Sequence, residues 1–309
     1  MILSAEKELT IKQQQEQRQL SRLAIGTHID RYRIVRVLGG GGFSIVYLAA
    51  DRNTGDLVVL KEYFPLKLAN RDEDHSIQPV DEKSRKLFDQ GRKLFFQEAS
   101  LLAAFKHPSI VDVRAFFRHN GTIYIVMGYY PGASLQSLIK KRGGQLSEKT
   151  IRNVFLPVLQ GLKLLHEHQL LHLDIKPGNV YLKRDGAPML LDFGAARKLE
   201  VSIGTKFFPV VSHGFSPIEQ NVRHGKLGPW SDLYAVAATM RTCIEAKAPV
   251  SAKKRIKEDT LVSAVTAHQG KYSPQLLGAL DWAMQIQPEE RPQHVDEFIS
   301  ALAISVKAA

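Results

Sequence analysis

Cysteine is almost absent from this chain of 309 residues, which contains one, Cys243. A disulfide framework needs pairs of cysteines and a cysteine metal site needs several thiolates, so both are excluded. No uninterrupted apolar run approaches the roughly 20 residues of a membrane-spanning helix. The opening residues, MILSAEKELTIK, also lack the charged and then apolar layout of a secretory signal. We therefore expect a soluble protein of the reducing cytoplasm.

Acidic residues are outnumbered, since 42 Lys and Arg stand against 31 Asp and Glu and give a net charge of +11. This excess favours acidic partners such as phosphate groups, acidic protein surfaces or anionic lipid. No motif of alternating aromatic and basic residues accompanies it, so we expect no specific nucleic-acid partner. The most basic run, residues 253–257, is interpreted as a solvated helix face that an acidic partner surface could touch. The hydrophobic content of 44% is enough for one large core or two smaller ones.

Polar residues that could act in catalysis or metal binding are concentrated between residues 172 and 194. Asp174 and Asn179 lie in a loop that contains a Pro-Gly pair. Two short apolar runs follow, separated by an Asp-Gly turn signal, and this pattern predicts a hairpin. The hairpin would bring Asp192 back beside Asn179, and such convergence of polar groups is the geometric condition for an active site.

This stretch resembles the catalytic and metal-binding loops of the protein kinase family. Residues 172–179 read HLDIKPGN where the family has H-R-D-L-K-x-x-N, and residues 192–194 match its D-F-G in full. The resemblance implies an α+β, bilobal protein-kinase-like fold, with a small β-rich N-lobe carrying one main helix and a larger α-helical C-lobe. It also implies a Ser/Thr protein kinase that uses ATP and Mg²⁺ and phosphorylates protein Ser/Thr hydroxyls, including its own. The run KEYFP at residues 61–65 resembles a bacterial branch of these kinases.

The resemblance extends upstream into a glycine-rich segment between two β-rich runs. Gly39 and Gly41 match the family's G-x-G-x-x-G-x-V loop, with Ser44 in place of the third glycine. Val46 matches the residue that covers the adenine, and Leu38, which precedes Gly39, is also expected to contact the nucleotide.

Two charged residues of the predicted N-lobe complete this half of the expected site. Lys61 matches the lysine that holds the α- and β-phosphates of ATP, and Glu98 is its expected ion-pair partner. Glu98 lies in a helix predicted over residues 84–106, whose apolar face is expected to include Leu87, Phe88, Leu94 and Phe95.

The resemblance also divides the chain. Met127 would guard the back of the nucleotide pocket, and Tyr129 and Tyr130 would lie in a hinge whose backbone binds adenine. We predict a partly helical N-terminal extension at 1–29, a kinase domain at 30–304 and a tail at 305–309. Within the domain we expect an N-lobe at about 30–127 with five strands and one helix, a hinge at 128–132 and a C-lobe at about 133–304. Residues 63–83 are interpreted as a surface insertion.

The family roles of the central loop carry over to matching positions. Asp174 would accept the proton of the attacking hydroxyl and Lys176 would neutralise the γ-phosphate during transfer. Asn179 and Asp192 would hold Mg²⁺, which prefers hard oxygen ligands. Lys176, two places after Asp174, is typical of the Ser/Thr class rather than of tyrosine kinases.

One departure from the family pattern affects regulation. Leu173 replaces the arginine that usually precedes the catalytic aspartate and that often receives an activation-loop phosphate. Its absence leaves the relevance of activation-loop phosphorylation open, with Ser202, Thr205 and Ser212 as candidate sites.

Two rival functions are weighed against an active protein kinase. A nucleotide-binding pseudokinase that acts as a scaffold or regulator would explain Leu173 and Ser44, although every metal and phosphate residue is intact. A small-molecule kinase is disfavoured because Glu219, Arg291 and Asp232 match structural residues of protein kinases. Glu219 is expected to pair with Arg291, and Asp232 to brace the backbone of the catalytic loop.

Overall fold

The computed structural model describes residues 21–194, 196–198, 211–222 and 225–303. The chain forms two compact units, each with its own core. The first comprises Met1–Lys106 and Asp112–Tyr129, and the second comprises His107–Val111 and Tyr130–Ala309. The chain therefore passes between the units twice near residues 107–111 and once between Tyr129 and Tyr130.

An antiparallel sheet of six strands in the order β1-β2-β3-β4-β8-β7 forms the first unit's framework. Its strands are β1 (His28–Ile29), β2 (Tyr32–Gly40), β3 (Ser44–Asp51), β4 (Leu57–Tyr63), β7 (Val113–His119) and β8 (Thr122–Gly128). Asn120 and Gly121 both have positive φ, 49° and 72°, and form the tight turn between β7 and β8.

The prediction of five strands is wrong, because the sequence analysis missed β1 and a separate hairpin in the insertion. The hairpin consists of β5 (Ala69–Arg71) and β6 (Ile77–Pro79), so the insertion is ordered. Strands of two or three residues are too short to show an alternating pattern. The strand β7 begins at Val113, and the apolar Ile110 before it belongs to the second unit.

Among the described residues of the first unit there is one long helix, α1 (Glu82–Ala103), which begins where Asp81 accepts a hydrogen bond from the Ser84 amide. Phe88, Phe95, Ala99 and Leu102 are buried along it. The predicted apolar face is partly wrong, since Leu87 and Leu94 are 50% and 38% exposed. These leucines each lie about 100° around the helix from the buried phenylalanine that follows, outside the stripe that the sheet covers.

Helices dominate the second unit. They are α2 (Leu135–Arg142), α3 (Glu148–Glu167), α4 (Pro229–Glu245), α5 (Ala252–Arg255), α6 (Ala264–His268), α7 (Pro274–Ala283) and α8 (Val295–Leu302). Short strands accompany them, namely β9 (Gly132–Ser134), β10 (Leu170–Leu171), β11 (Val180–Lys183), β12 (Pro188–Leu190) and β13 (Arg197–Lys198). Residues 231–244 of α4 are all buried, so this helix is the centre of the unit's core. Among the described residues, no helix has the length and apolar character needed to cross a membrane.

The basic run at 253–257 is only partly the solvated helix face that the sequence predicts. Lys253, Lys254 and Lys257 are exposed, but Arg255 is buried and its guanidinium donates to Asp259 and to the Met284 carbonyl. Burial costs a guanidinium little when its donors are satisfied in this way. Asp259 is only four residues away, but the Met284 carbonyl is 29 residues away and belongs to the tertiary fold, which charge patterning does not reveal.

Candidate active site

The glycine-rich segment of the first unit forms a tight hairpin between β2 and β3. The Gly41 amide donates to the Ser44 carbonyl at 2.9 Å across the turn. A Cβ atom at Gly40 would lie 2.6 Å from the Ser44 oxygen, so this close approach requires glycine. Gly39 pairs with Val46 at the base of the hairpin, and the Leu38 side chain is exposed beside it.

Lys61 and Glu98 form the ion pair that the sequence predicts. The Lys61 ammonium on β4 lies 3.1 Å from a Glu98 carboxylate oxygen on α1, and the side chains are 10% and 9% exposed. The Phe95 ring centroid lies 5.3 Å from the Lys61 nitrogen. Burial of a lysine charge costs free energy unless partners compensate for it, and here Glu98 and Phe95 do so. The Lys61 ammonium is therefore fixed in position at the end of an apolar strand.

The three residues of the predicted adenine contact lie on both sides of the division between the units. Met127 pairs with Val59 in the first unit's sheet and is half-buried, as is Tyr129. In the second unit, the Tyr130 carbonyl accepts a hydrogen bond from the Tyr181 hydroxyl at 3.0 Å. The Lys183 ammonium lies 4.7 Å from the Tyr130 ring centroid.

Asp174 lies in the second unit within a dense set of hydrogen-bond donors. The Lys176 ammonium is 2.9 Å and 2.8 Å from its two carboxylate oxygens. The Asn179 amide nitrogen donates to its Oδ2 at 2.8 Å and to its backbone carbonyl at 2.7 Å. Asp174 is 6% exposed, and these contacts fix the orientation of its carboxylate. A carboxylate held in one orientation is suited to accept a proton from a hydroxyl placed against it.

Ser212 also reaches this carboxylate, 38 residues along the chain. Its hydroxyl donates to Asp174 Oδ1 at 2.7 Å and accepts from the Lys176 ammonium at 3.0 Å. The sequence analysis considered Ser212 only as a phosphorylation site, and its contact with Asp174 is a finding of the structure. The other two candidate sites, Ser202 and Thr205, lie outside the described residues.

The predicted hairpin returns Asp192 to the neighbourhood of Asn179. Val180 of β11 pairs with Leu190 of β12, and the Leu191 amide donates to the Asn179 carbonyl at 2.8 Å. Asp192 follows with a φ of 57°, and its side chain is exposed.

The donor set of this turn fits Mg²⁺. Because the Asn179 amide nitrogen is committed to Asp174, its Oδ1 atom is left to act as an acceptor, and it accepts no hydrogen bond from the residues that the structure describes. This oxygen and the Asp192 carboxylate are hard ligands, and Mg²⁺ usually completes its octahedral shell with water and substrate phosphates.

Asp232 braces the catalytic loop as the sequence predicts. Its carboxylate accepts from the backbone amides of His172 and Leu173 at 2.9 Å and 2.8 Å, and from the His166 ring at 2.8 Å. Complete burial alone would raise the pKa of Asp232, but these donors outweigh burial and hold the pKa below its ordinary value.

Leu173 adopts a backbone conformation that leucine rarely takes, with a φ of 61°. Asp232 holds its amide, and the Gln220 side chain donates to its carbonyl at 2.7 Å. Its apolar side chain is 4% exposed. The residue that replaces the family's arginine is therefore a buried anchor, which keeps the adjacent Asp174 in place.

Glu219 and Arg291 form the predicted pair in the second unit. One guanidinium nitrogen of Arg291 lies 2.8 Å from Glu219 Oε1, and the side chains are 0% and 5% exposed. Arg291 also donates to the carbonyls of Gln285 and Ile286. The pair fixes the segment that precedes α4 and carries Gln220.

The sequence did not predict the contacts that three residues make in this site, namely Ser212, Gln220 and His166. Gln220 lies next to the matched Glu219, so its position in the S-P-I-E-Q run was a usable signal. Ser212 and His166 contact their partners across 38 and 66 residues, and no local pattern distinguishes them.

Comparison with known proteins provides an independent line of evidence. A model described as "Protein kinase domain" matches residues 32–301. The serine/threonine-protein kinase PknA of Nostoc sp. is 27% identical over 290 residues, which is 90% of this chain and 48% of that protein. The serine/threonine-protein kinase D of Synechocystis sp. is 29% identical over 285 residues, 89% of this chain and 52% of that protein.

A solved structure described as "PpkA-294 apo form" shares 36% sequence identity with this chain. The alignment covers 92% of this chain and all of that one, with a TM-score of 0.82. The chain spans about half the length of the two cyanobacterial relatives.

Proposed function

Because this chain belongs to the protein kinase family, we propose that it transfers the γ-phosphate of ATP to serine or threonine hydroxyls of proteins, including its own. Its kinase domain would span residues 30–304, with the hinge at 128–132. The family uses ATP as phosphate donor and typically Mg²⁺ as the metal, and its members act on protein side chains.

One observation carries this proposal. The Asp174 carboxylate already accepts a hydrogen bond from an aliphatic hydroxyl, that of Ser212, at 2.7 Å. A base that accepts such a contact can orient a substrate hydroxyl and take up its proton. Lys176, at 2.9 Å and 2.8 Å from the same carboxylate, supplies a positive charge where negative charge develops during transfer.

The remaining site residues take the roles that the family gives to matching positions. Lys61, held by Glu98, would bind the α- and β-phosphates. Leu38, Gly39, Gly41 and Val46 would contact the nucleotide from the hairpin, and Met127, Tyr129 and Tyr130 from the chain that follows β8. Asn179 and Asp192 would hold Mg²⁺, which supplies charge neutralisation for the β- and γ-phosphate oxygens.

Acidic protein surfaces are the partners that we propose on charge alone, given the net charge of +11. Lys253, Lys254 and Lys257 are exposed and lie in the most basic run of the chain.

Three peptides that differ only in their acceptor, Ser, Thr or Tyr, test the proposal. With γ-labelled ATP and Mg²⁺, we expect label on the Ser and Thr peptides and little on the Tyr peptide. Asp174→Asn should lower the rate by about a thousandfold, within the range for loss of a general base, while still binding ATP. Label on the Tyr peptide alone would contradict the Ser/Thr assignment, and ATP binding with no label on any peptide would favour the pseudokinase.

A further inference from the structure

The tip of the glycine-rich hairpin is hydrogen-bonded to the chain that leaves β4. The Phe64 amide donates to the Phe43 carbonyl at 2.9 Å, and the Leu66 amide donates to the Gly42 carbonyl at 3.1 Å. Phe64 and Leu66 are 1% and 8% exposed, so this segment is anchored in the core of the first unit. The hairpin tip is thus tied to residues only a few positions after Lys61.

One arginine holds this segment from its far end. Arg71 lies in the insertion hairpin, where its guanidinium carbon is 5.2 Å from the Phe64 ring centroid. The same guanidinium donates to Glu62 at 2.6 Å and to the His75 carbonyl at 3.2 Å. Its side chain is 6% exposed, so its contacts are formed in a largely dry environment.

Arg71 also binds residues that precede the matched kinase domain. Its Nε atom donates to the Ser21 carbonyl at 2.8 Å. The Leu23 amide donates to the Tyr47 hydroxyl at 3.1 Å, and the Leu23 side chain is 2% exposed. The match to the family begins at residue 32, so Ser21 and Leu23 lie outside the matched residues.

The Glu62 carboxylate is the fixed point of these contacts. It is fully buried and accepts from the hydroxyls of Tyr47 and Tyr124, at 3.1 Å and 2.5 Å, as well as from Arg71. Glu62 follows Lys61 directly on β4, so the two side chains point to opposite faces of the sheet. Any movement of Glu62 therefore moves the backbone that carries Lys61.

We propose that Arg71 is a positioning residue for nucleotide binding, which locks the glycine-rich hairpin and the Lys61 strand through Phe64, Glu62 and Ser21. This proposal rests on the proposed function. Arg71 itself would not touch ATP.

The expected effect is on nucleotide affinity. A hairpin whose tip is already fixed loses little freedom when it closes on phosphates, whereas a loosened tip must be ordered at the expense of binding energy. Loss of Arg71 should therefore weaken the binding of ATP and leave the transfer step, which depends on Asp174, largely unchanged.

Arg71→Met in the full chain tests this inference, with Arg92→Met as the matched control. Arg92 also pairs with a carboxylate (Asp89, 2.8 Å), donates to a carbonyl (Gly121, 2.7 Å) and lies 5.5 Å from a ring (Phe88), but its contacts do not include the hairpin. Arg71→Met should raise the Kd for Mg-ATP by about three- to tenfold, with kcat at saturating ATP within about twofold of the parent rate. Arg92→Met should leave both values unchanged.

A second variant separates positioning from the cost of an uncompensated buried charge. Glu62→Gln combined with Arg71→Met removes both charges, which limits the loss of stability. This double variant should keep the weakened ATP binding. In both Arg71 variants, hydrogen exchange at the Phe64 and Leu66 amides should be faster than in the parent, because their bonds to the hairpin tip open more often.

Unchanged ATP affinity and unchanged exchange at these amides in Arg71→Met would overturn the inference. An equal loss of affinity in Arg92→Met would also overturn it, because the effect would then be general softening of the unit. If the parent chain bound no Mg-ATP, the proposed function would fail, and the exchange at Phe64 and Leu66 would still decide whether Arg71 locks the hairpin.

Discussion

The Asp174 carboxylate is more heavily engaged than a surface acid would be, with donors from Lys176, Asn179 and Ser212. Two of these contacts are local in the sequence, and the third depends on the tertiary fold. Lys176 and Asn179 lie within five residues of Asp174, whereas Ser212 lies 38 residues away. Ser212 is therefore the more informative target for substitution.

Ser212→Ala should lower kcat by about tenfold, which corresponds to roughly 1.4 kcal/mol for a lost hydrogen bond to a charged group. The KM for ATP should stay unchanged, because Ser212 contacts only Asp174, Lys176 and Ser216 among the described side chains. Ser212→Thr keeps the hydroxyl and should retain most activity. Steady-state kinetics on a serine peptide measures both parameters.

Ser300→Ala, which removes an exposed hydroxyl on α8, is the control for this series. A Ser212→Ala enzyme with parental kcat would show that the contact with Asp174 is incidental to transfer.

The residues of the site differ in how far the sequence could predict them. Asp174, Asn179 and Asp192 were predictable because a loop and a single short hairpin bring them together, and hairpins are set by local turn signals. Lys61 and Glu98 were predictable as a pair only through the family resemblance, since they lie on different elements. Ser212, Arg71 and the buried Arg255 each have at least one partner 29 or more residues away, namely Asp174, the Ser21 carbonyl and the Met284 carbonyl, and local sequence patterns do not reveal such contacts.

At the scale of elements, α4 braces the catalytic loop through Asp232. This carboxylate accepts two backbone amides and the His166 ring while completely buried, and it faces the rings of His166 and His172. Its pKa in the folded protein lies below the ordinary value. A group with a lowered pKa stabilises the fold above its unfolded-state pKa, and the contribution is lost as pH falls through the folded-state pKa.

Asp232→Asn should therefore lower the free energy of unfolding near neutral pH by about 1.5–3 kcal/mol. The difference in stability between parent and variant should shrink as pH falls below about 4, because protonation of Asp232 in the parent removes its contribution. Urea unfolding at a series of pH values measures it, and a difference that grew below about pH 4 would refute this assignment.

The buried Glu219–Arg291 pair should contribute strongly to stability at the segment that precedes α4. Arg291→Ala leaves the Glu219 carboxylate buried with one hydrogen bond from the described residues, that of Ser231, and should destabilise the protein by about 3–5 kcal/mol. Denaturant unfolding checks the value.

The exposed pair of Arg85 and Glu82, at 54% and 82% side-chain exposure, provides the comparison. Arg85→Ala should change the stability by less than about 1 kcal/mol, because water screens such a pair. Equal effects of the two substitutions would mean that burial does not set the strength of the Glu219 pair.

Most of the long elements were predictable from sequence, and the short ones were not. The helices α1 and α3 have many apolar residues at helical spacing, so their existence was clear even where the face of α1 was misjudged at Leu87 and Leu94. The strands β1, β5 and β6 have two or three residues each and carry no such periodicity. Arg71, the proposed positioning residue, nevertheless lies in one of these short strands, β5.

For the molecule as a whole, the family assignment and the site geometry support the same chemistry from different evidence. The kinase match covers residues 32–301. The Lys61 ammonium and the Asp174 carboxylate lie in separate units, and each unit has its own core. Every residue that the family resemblance assigns to metal and phosphate binding is present, and this supports the active kinase over the pseudokinase. Catalysis by Asp174 is the claim on which the whole account depends.

Intact-mass spectrometry after incubation with Mg-ATP and a serine peptide tests that claim most directly. The parent chain should add whole phosphoryl groups to the peptide and to itself, and Asp174→Asn should add none on the same timescale. Asp185→Asn, the same substitution at the exposed turn of the following β11–β12 hairpin, should behave like the parent. Phosphorylation that persisted in Asp174→Asn, or a parent chain that bound ATP without phosphorylating anything, would contradict the account.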